Sequence, residues 1–255
     1  MGQPLTSGGI AIVRDRIVQE AQGNYDPVEV KTVLKRWQTA SQPARVSCSD
    51  NQQYVIKGSQ NGKALYNEYV CGRLGNLLNA AVAWVRFVDV PVALRADPDL
   101  QHFGPGLALG SLVMPEASER GLISHTDVPA NKSKFASLAI LYSWCIANDH
   151  QLLYEQIPPY GVLSNDHGYF FPGGPNWNAA GLTAAPAVVR DPWFNGCDLD
   201  GADFAPYWPL LDAITDDDVR RITSAPPQAW GVDVAERTAL ADYLIARRPQ
   251  VRAAF

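Results

Sequence analysis

Three short runs bring together the residue types that phosphoryl transfer requires: a cation for phosphate oxygens, a carboxylate for a divalent metal, and a group that orients an acceptor hydroxyl. The first is Tyr54-Val55-Ile56-Lys57, followed eleven residues later by Glu68. A lysine on an apolar strand can reach inward to phosphates, and a carboxylate on a neighbouring helix can hold its ammonium. The second is Trp144-Cys145-Ile146-Ala147-Asn148-Asp149-His150, where Asp149 could accept or orient a hydroxyl proton. The third is Asn165-Asp166-His167-Gly168. There Asp166 suits magnesium, a hard cation that prefers carboxylate oxygen. Each run also fits a plainer role. Lys57 could end an edge strand and Glu68 lie on a solvated helix face. Asn148-Asp149 could cap a helix, and the third run could be a hairpin turn.

The spacing argues for bringing the last two runs together. Between Asp149 and Asp166 the sequence has room for a short hairpin, which would return the second aspartate near the first. His167 reads as a brace for the metal loop by hydrogen bonding. His102 and His125 lie in polar stretches and read as surface residues. Asp198, Asp200 and Asp203 have a calcium-like spacing but lack the loop glycine and terminal glutamate, so they read as solvated acids. Trp177, Trp193, Tyr207 and Trp208 fit loop and core packing, or a partner-binding surface.

Elements must position these residues. Ala44 to Cys48 and Gln53 to Lys57 read as two strands joined by the turn Ser49-Asp50-Asn51. Ala64 to Val85 carries an apolar stripe and predicts the long helix that would present Glu68. Val85 to Val92 and Leu107 to Met114 read as strands, and residues 95 to 106 as a loop. Phe135 to Asn148 predicts a buried helix ending at Asp149. Leu152-Leu153 and Tyr160 to Leu163 are β-like. Ile10 to Ile17 predicts a strand or extended lead. Val28 to Trp37, with apolar residues at 30, 33, 34 and 37, predicts a helix. Residues 172 to 209 predict a long loop, and Thr215-Asp216-Asp217-Asp218 an acidic helix cap. A last helix is expected from about Val234 to Arg248. The order is β-rich first and helical later, an α+β class.

Bulk properties bound the rest. The 255 residues suit one domain, with 47% hydrophobic and 18% charged residues. A net charge of -5 argues against a dedicated nucleic-acid binder. Cys48, Cys71, Cys145 and Cys197 fit no zinc pattern, and Cys71 and Cys145 read as buried thiols. The first residues are polar and Gly-rich, unlike a signal peptide, and no uncharged apolar run reaches membrane-spanning length. A cytoplasmic protein without membrane contact is the expectation.

The ordered motifs resemble the compact HipA-like kinases. These typically show a strand lysine, an Asn-Glu helix start, a Trp…Asn-x-Asp-Arg region and an Asp-His-Gly metal motif. Here they correspond to Lys57, Asn67-Glu68, Trp144 with Asp149, and Asp166-His167-Gly168. Ala225-Pro226-Pro227-Gln228-Ala229-Trp230 and Leu240 to Arg248 continue the likeness toward the C-terminus. The resemblance implies a two-lobed protein-kinase-like fold, with an N-lobe of about residues 1–115 and a C-lobe of about 116–255. It implies ATP, magnesium and transfer to a serine or threonine hydroxyl of a protein partner. It assigns Lys57 to the phosphates, Glu68 to Lys57, Asp149 to catalysis, Asp166 to the metal, and Met114 to Ala117, including Glu116, to the adenine-facing hinge.

The chain departs from that pattern after Asp149. His150 stands for the usual arginine, and Gln151 leads straight into Leu152-Leu153, so no asparagine fills the second metal-ligand place. Gln151 could substitute with its amide oxygen. No Gly-x-Gly-x-x-Gly loop is present, and Gly58 to Gly62 and Gly104 to Gly110 are weak replacements. A nucleotide-binding pseudokinase is therefore the alternative reading, and a small-molecule kinase a third.

Overall fold

The computed structural model describes residues 7–104 and 106–255. Its first sheet closes into a barrel. The strands are β1 (Val28–Arg36), β2 (Ala44–Cys48), β3 (Gln53–Lys57), β4 (Val85–Asp89) and β5 (Ala108–Leu112), in the order β1-β2-β3-β5-β4. All pairings are antiparallel except β1 with β4, whose parallel pairs Val28↔Val88 and Glu29↔Asp89 close the barrel. Alternation along the strands puts Val46, Tyr54, Ile56 and Val88 into one interior cluster, which Leu100 and Phe103 complete. A second sheet contains β6 (Ala117–Arg120), β7 (Leu152–Glu155) and β8 (Val162–Ser164) in sequence order.

Helices supply the rest: α1 (Ser7–Ala21), α2 (Lys63–Leu77), α3 (Val92–Arg95), α4 (Pro129–Cys145), α5 (Ala179–Thr183), α6 (Gly201–Phe204), α7 (Trp208–Ala213), α8 (Asp216–Ser224) and α9 (Val234–Ala253). The larger hydrophobic cluster joins α1, α2, α4, α8 and α9. Within it α2 and α4 lie close, because Gly75 has no side chain: an added Cβ would sit 2.7 Å from Val82 and 3.1 Å from Leu141. The result is a mixed α+β fold with its strands early and most helices late.

Three elements differ from the sequence expectation. Residues 28–36 form β1, not a helix. The positions 30, 33 and 34 satisfy a helical period, but only Val28 and Val30 are fully buried on this strand, and Leu34 is exposed. Pairing with β2 and β4 decides the outcome. Residues 10–17 lie in helix α1, not a strand. Val13 and Ile17, one turn apart, face the core, and Glu20 pairs with buried Arg73. The predicted helix at 64–85 ends at Leu77, and a turn with Asn79 at positive φ leads into β4.

The segment 172–209 is built of short helices and single turns. Asp200 caps α6 in a reciprocal pair with Asp203, and Asp203 also meets Lys132 at 3.3 Å. Two of the three acids with calcium-like spacing are thus cap residues. The expected acidic cap at Thr215 is present, with Thr215 and Asp218 exchanging hydrogen bonds. All four cysteines are buried and free. Among the described residues, no helix is long and apolar enough to cross a membrane.

Candidate active site

Lys57 ends β3, where Tyr54 and Ile56 point into the barrel. Strand alternation sends its side chain out of the barrel toward α2. Glu68 projects from α2 to meet it, with Lys57 Nζ 2.9 Å from Glu68 Oε2. The other oxygen, Glu68 Oε1, accepts a hydrogen bond from Ser111 Oγ on β5 at 2.9 Å. Lys57 also donates to Asp166 Oδ1 at 2.6 Å. Burial alone would lower the Lys57 pKa, but Glu68 and Asp166 outweigh it and raise the value. The lysine stays charged.

Asp166 follows β8. It adopts the left-handed conformation at φ +55°, which aspartate tolerates better than most residues. The turn after it is tied to α2 through one residue. Asn67 Nδ2 donates to the carbonyls of Gly168 at 2.8 Å, Phe170 at 3.1 Å and Gly174 at 3.4 Å, and Asn67 Oδ1 accepts from Trp177 Nε1 at 2.8 Å. Gly168 lets the turn approach, since a Cβ there would lie 3.2 Å from Ala64. His167 is buried beneath and hydrogen-bonds Ser164 Oγ through Nε2 at 2.8 Å, and Ser164 Oγ meets Tyr142 Oη at 2.6 Å. Burial lowers the His167 pKa to about 4, with Asp166 opposing the shift and Lys57 adding to it. The imidazole is a neutral brace, as expected from sequence.

Asp149 stands just beyond α4. Asn148 fixes this exit by donating to the carbonyls of Tyr169 at 3.0 Å and Phe171 at 2.6 Å. The expected hairpin is present: β7 and β8 pair Leu152 with Ser164, and Asn165 N donates to Gln151 O at 3.3 Å. Asp149 and Asp166 therefore flank the open end of one hairpin, opposite its turn. Gln151 does not simply stand free as a metal ligand, because its amide nitrogen donates to Asp149 Oδ2 at 3.1 Å. His150 turns away to Asp191, with Nε2 2.9 Å from Asp191 Oδ2.

Met114 follows β5. Glu116 precedes β6 at φ +50°, and its carbonyl accepts from Gln156 N. The hydrogen bonds that join Lys57, Glu68 and Asp166 do not extend to them. Gly58 to Gly62 forms the turn that joins β3 to α2, and Gly110 lies within β5.

The residues present fit a magnesium ion. One ammonium against Glu68 and Asp166 leaves this cluster with an excess negative charge. Asn165 Oδ1, next to Asp166, is buried without a hydrogen-bond partner. Among the described residues, no trio of His, Cys, Asp or Glu forms an all-protein cage. Magnesium commonly needs only one or two carboxylates besides substrate phosphates and water. Sequence reasoning missed Ser111 and Asn165, and saw Asn67 only as part of a motif. Nothing local marks Ser111, whereas an asparagine beside the metal-motif aspartate was a usable signal.

The family model of the HipA-like kinase matches residues 30–156, a span that includes Lys57, Glu68 and Asp149 and stops before Asp166. The structure is similar to that of the Helicobacter pylori proinflammatory kinase CtkA, with TM-score 0.60 at 11% identity, covering 89% of this chain and 94% of that one. At this identity the likeness speaks for the fold. A chain from the Shewanella oneidensis MR-1 toxin–antitoxin complex of HipA, HipB and operator DNA aligns at TM-score 0.36 and 14% identity, covering 94% of this chain and 72% of that one. No curated protein matches. Over residues 30–156 the chain matches the HipA-like kinase family, the one its motifs resemble.

Proposed function

We propose that this chain is an ATP- and magnesium-dependent kinase of HipA-like type that transfers phosphate to a serine or threonine hydroxyl of a protein. The observation that carries this reading is Lys57 held between Glu68 and Asp166. Phosphoryl transfer relies on positioning and charge stabilisation, and these side chains supply both. Lys57 is the cation for phosphate oxygens, kept in place by Glu68, which Ser111 steadies. Asp166 and Asn165 offer oxygens for magnesium. Bound there, magnesium would supply positive charge against the phosphates. Asp149, to which the Gln151 amide donates, would accept the proton of the acceptor hydroxyl.

The same reading treats the chain as one kinase domain, with lobes of about residues 1–115 and 116–255. Met114 and Glu116 lie on the segment between them and would meet adenine. The protein nature of the acceptor follows from the resemblance alone.

Thermal unfolding with and without ATP and magnesium tests the nucleotide site. A ligand bound only by the native state raises stability by about 2.7 kcal/mol at a hundred times its dissociation constant. A magnesium-dependent rise in wild type that is lost in Asp166→Asn supports the site. Equal shifts in both proteins refute the metal role of Asp166. One observation favours a second reading, a pseudokinase: the loop after Asp149 is short, and the Gln151 amide is engaged by Asp149 itself. Nucleotide binding without transfer of labelled phosphate would select it.

A further inference from the structure

The loop that carries Asp149 is held by side chains. Helix α4 ends at Cys145, and Ile146, at φ +61°, turns the chain out of it. Among the described residues, the main chain of 148–150 pairs with no other main-chain group, and pairing resumes only at Gln151, whose carbonyl accepts from Asn165 N. The neighbours of Asp149 on both sides are anchored instead. Asn148 is tied to Tyr169 and Phe171, in the segment after Asp166. His150 is tied to Asp191, in the segment before α6.

Asp191 is fixed from several directions. It is 8% exposed. Its Oδ1 accepts from Trp193 N at 2.9 Å, and its own N–H donates to Ser143 Oγ of α4 at 2.9 Å. Oδ2 is left for His150 Nε2, at 2.9 Å. The imidazole packs against Trp193, with ring centroids 4.6 Å apart, and against Tyr142 at 5.4 Å. A carboxylate only accepts, so Nε2 carries the proton of this bond.

The plainer role of Asp191 is to cap the turn Pro192–Cys197. That role uses Oδ1 alone, and the side-chain oxygen of an asparagine or serine would serve it as well. It accounts neither for the second carboxylate oxygen nor for the imidazole brought against it.

We propose that Asp191 is a positioning residue for Asp149, acting through His150; this rests on the kinase reading above. The bond fixes the residue after Asp149 as Asn148 fixes the residue before it. The candidate base is thus carried on a stretch pinned at both ends, where the main chain alone would leave it loose. Such pinning matters for rate, because a reacting group misplaced by about 1 Å can cost about a hundredfold. Asp191 itself stays away from the phosphates, so its effect falls on the transfer step and not on nucleotide binding.

ATP hydrolysis by the full chain, with water standing in for the acceptor hydroxyl, tests this beside a separate titration of magnesium-ATP binding. Asp191→Asn has one acceptor oxygen, so it can serve Trp193 N or the His150 Nε2–H but not both. His150→Asn places its amide nitrogen near Nδ1 and falls short of Asp191, whereas His150→Gln places it near Nε2 and reaches. Asp191→Asn and His150→Asn should lower kcat about tenfold or more, with the magnesium-ATP dissociation constant kept within about twofold, and His150→Gln should recover to within about threefold of wild type. Nitrogen NMR of histidine-labelled wild type should place the His150 proton on Nε2. Wild-type kcat in Asp191→Asn, a His150→Gln as slow as His150→Asn, a loss of binding that matches the loss of rate, or a His150 proton on Nδ1 alone would each overturn the proposal. A wild type that hydrolyses no ATP would overturn the kinase reading itself, and the proposal with it.

Discussion

Lys57 Nζ lies 2.6 Å from Asp166 Oδ1 while it also holds Glu68 at 2.9 Å. The two contacts differ in surroundings. The Glu68 side chain is 6% exposed and its second oxygen is taken by Ser111, whereas the Asp166 side chain is 32% exposed. Lys57 and Glu68 thus form the fixed pair, and on the proposed reading Asp166 is the partner that would exchange lysine for another cation.

Removing the fixed partner should be costly. Glu68→Gln leaves Lys57 buried against Asp166 alone and forfeits the stronger bond to Ser111. Breaking a buried pair typically costs about 3–5 kcal/mol. The remaining contact should hold the loss near 2 kcal/mol, read as a lower urea midpoint at unchanged slope.

Removing the exchangeable partner should cost little fold and much function. Asp166→Asn should shift the unliganded midpoint by about 1 kcal/mol or less, the worth of a part-exposed pair. Magnesium-dependent nucleotide binding, measured by fluorescence titration, should drop at least about tenfold, the weight of 1.4 kcal/mol. A larger loss of stability than of affinity would show that Asp166 is structural.

His167 gives the fold an acid limit. Its folded pKa is lowered to about 4 from the ordinary 6.5 by burial. Between those values the unfolded chain binds more protons than the folded one, so stability rises with pH across the window. The contribution is present above pH 6.5 and is lost as pH falls toward 4. A shift of this size amounts to about 3 kcal/mol. In metal-free buffer, wild type minus His167→Gln should therefore show a stability difference that shrinks from pH 7 to pH 4. A constant difference would argue against a neutral buried imidazole.

Asn67 holds the segment after Asp166 with four hydrogen bonds. Asn67→Ala strands buried carbonyls and an indole N–H, at a cost of about 3 kcal/mol or more. Limited proteolysis should then open the chain between residues 165 and 178 before it cuts elsewhere. Unchanged resistance there would mean that packing alone holds the segment.

The pieces legible in the sequence were the local ones. Alternation in Tyr54 to Lys57, the hairpin between Asp149 and Asp166, the Thr215 cap and the brace by His167 all depend on neighbours in the chain. The strand β1 was misread because its apolar residues satisfy a 3.6-residue period, and only its partner strands decide otherwise. Helix α1 was misread for a similar reason: its buried side depends on Arg73 and Tyr69 of α2, which meet Glu20 at 2.9 Å and 2.6 Å. Ser111 meets Glu68 across 43 positions and Asn67 meets Gly168 across 101. Contacts of that span leave no periodic trace.

The way the barrel closes bears on how the chain can be cut. Its seam is made by Val28 and Glu29 against Val88 and Asp89, and the family-matched span begins two residues after Val28. A fragment trimmed to that span would unzip the seam and turn β1 and β4 into two bare edges, ready to recruit strands from other copies. The portable unit is therefore larger than the recognisable one, and a minimal fragment should start ahead of Val28.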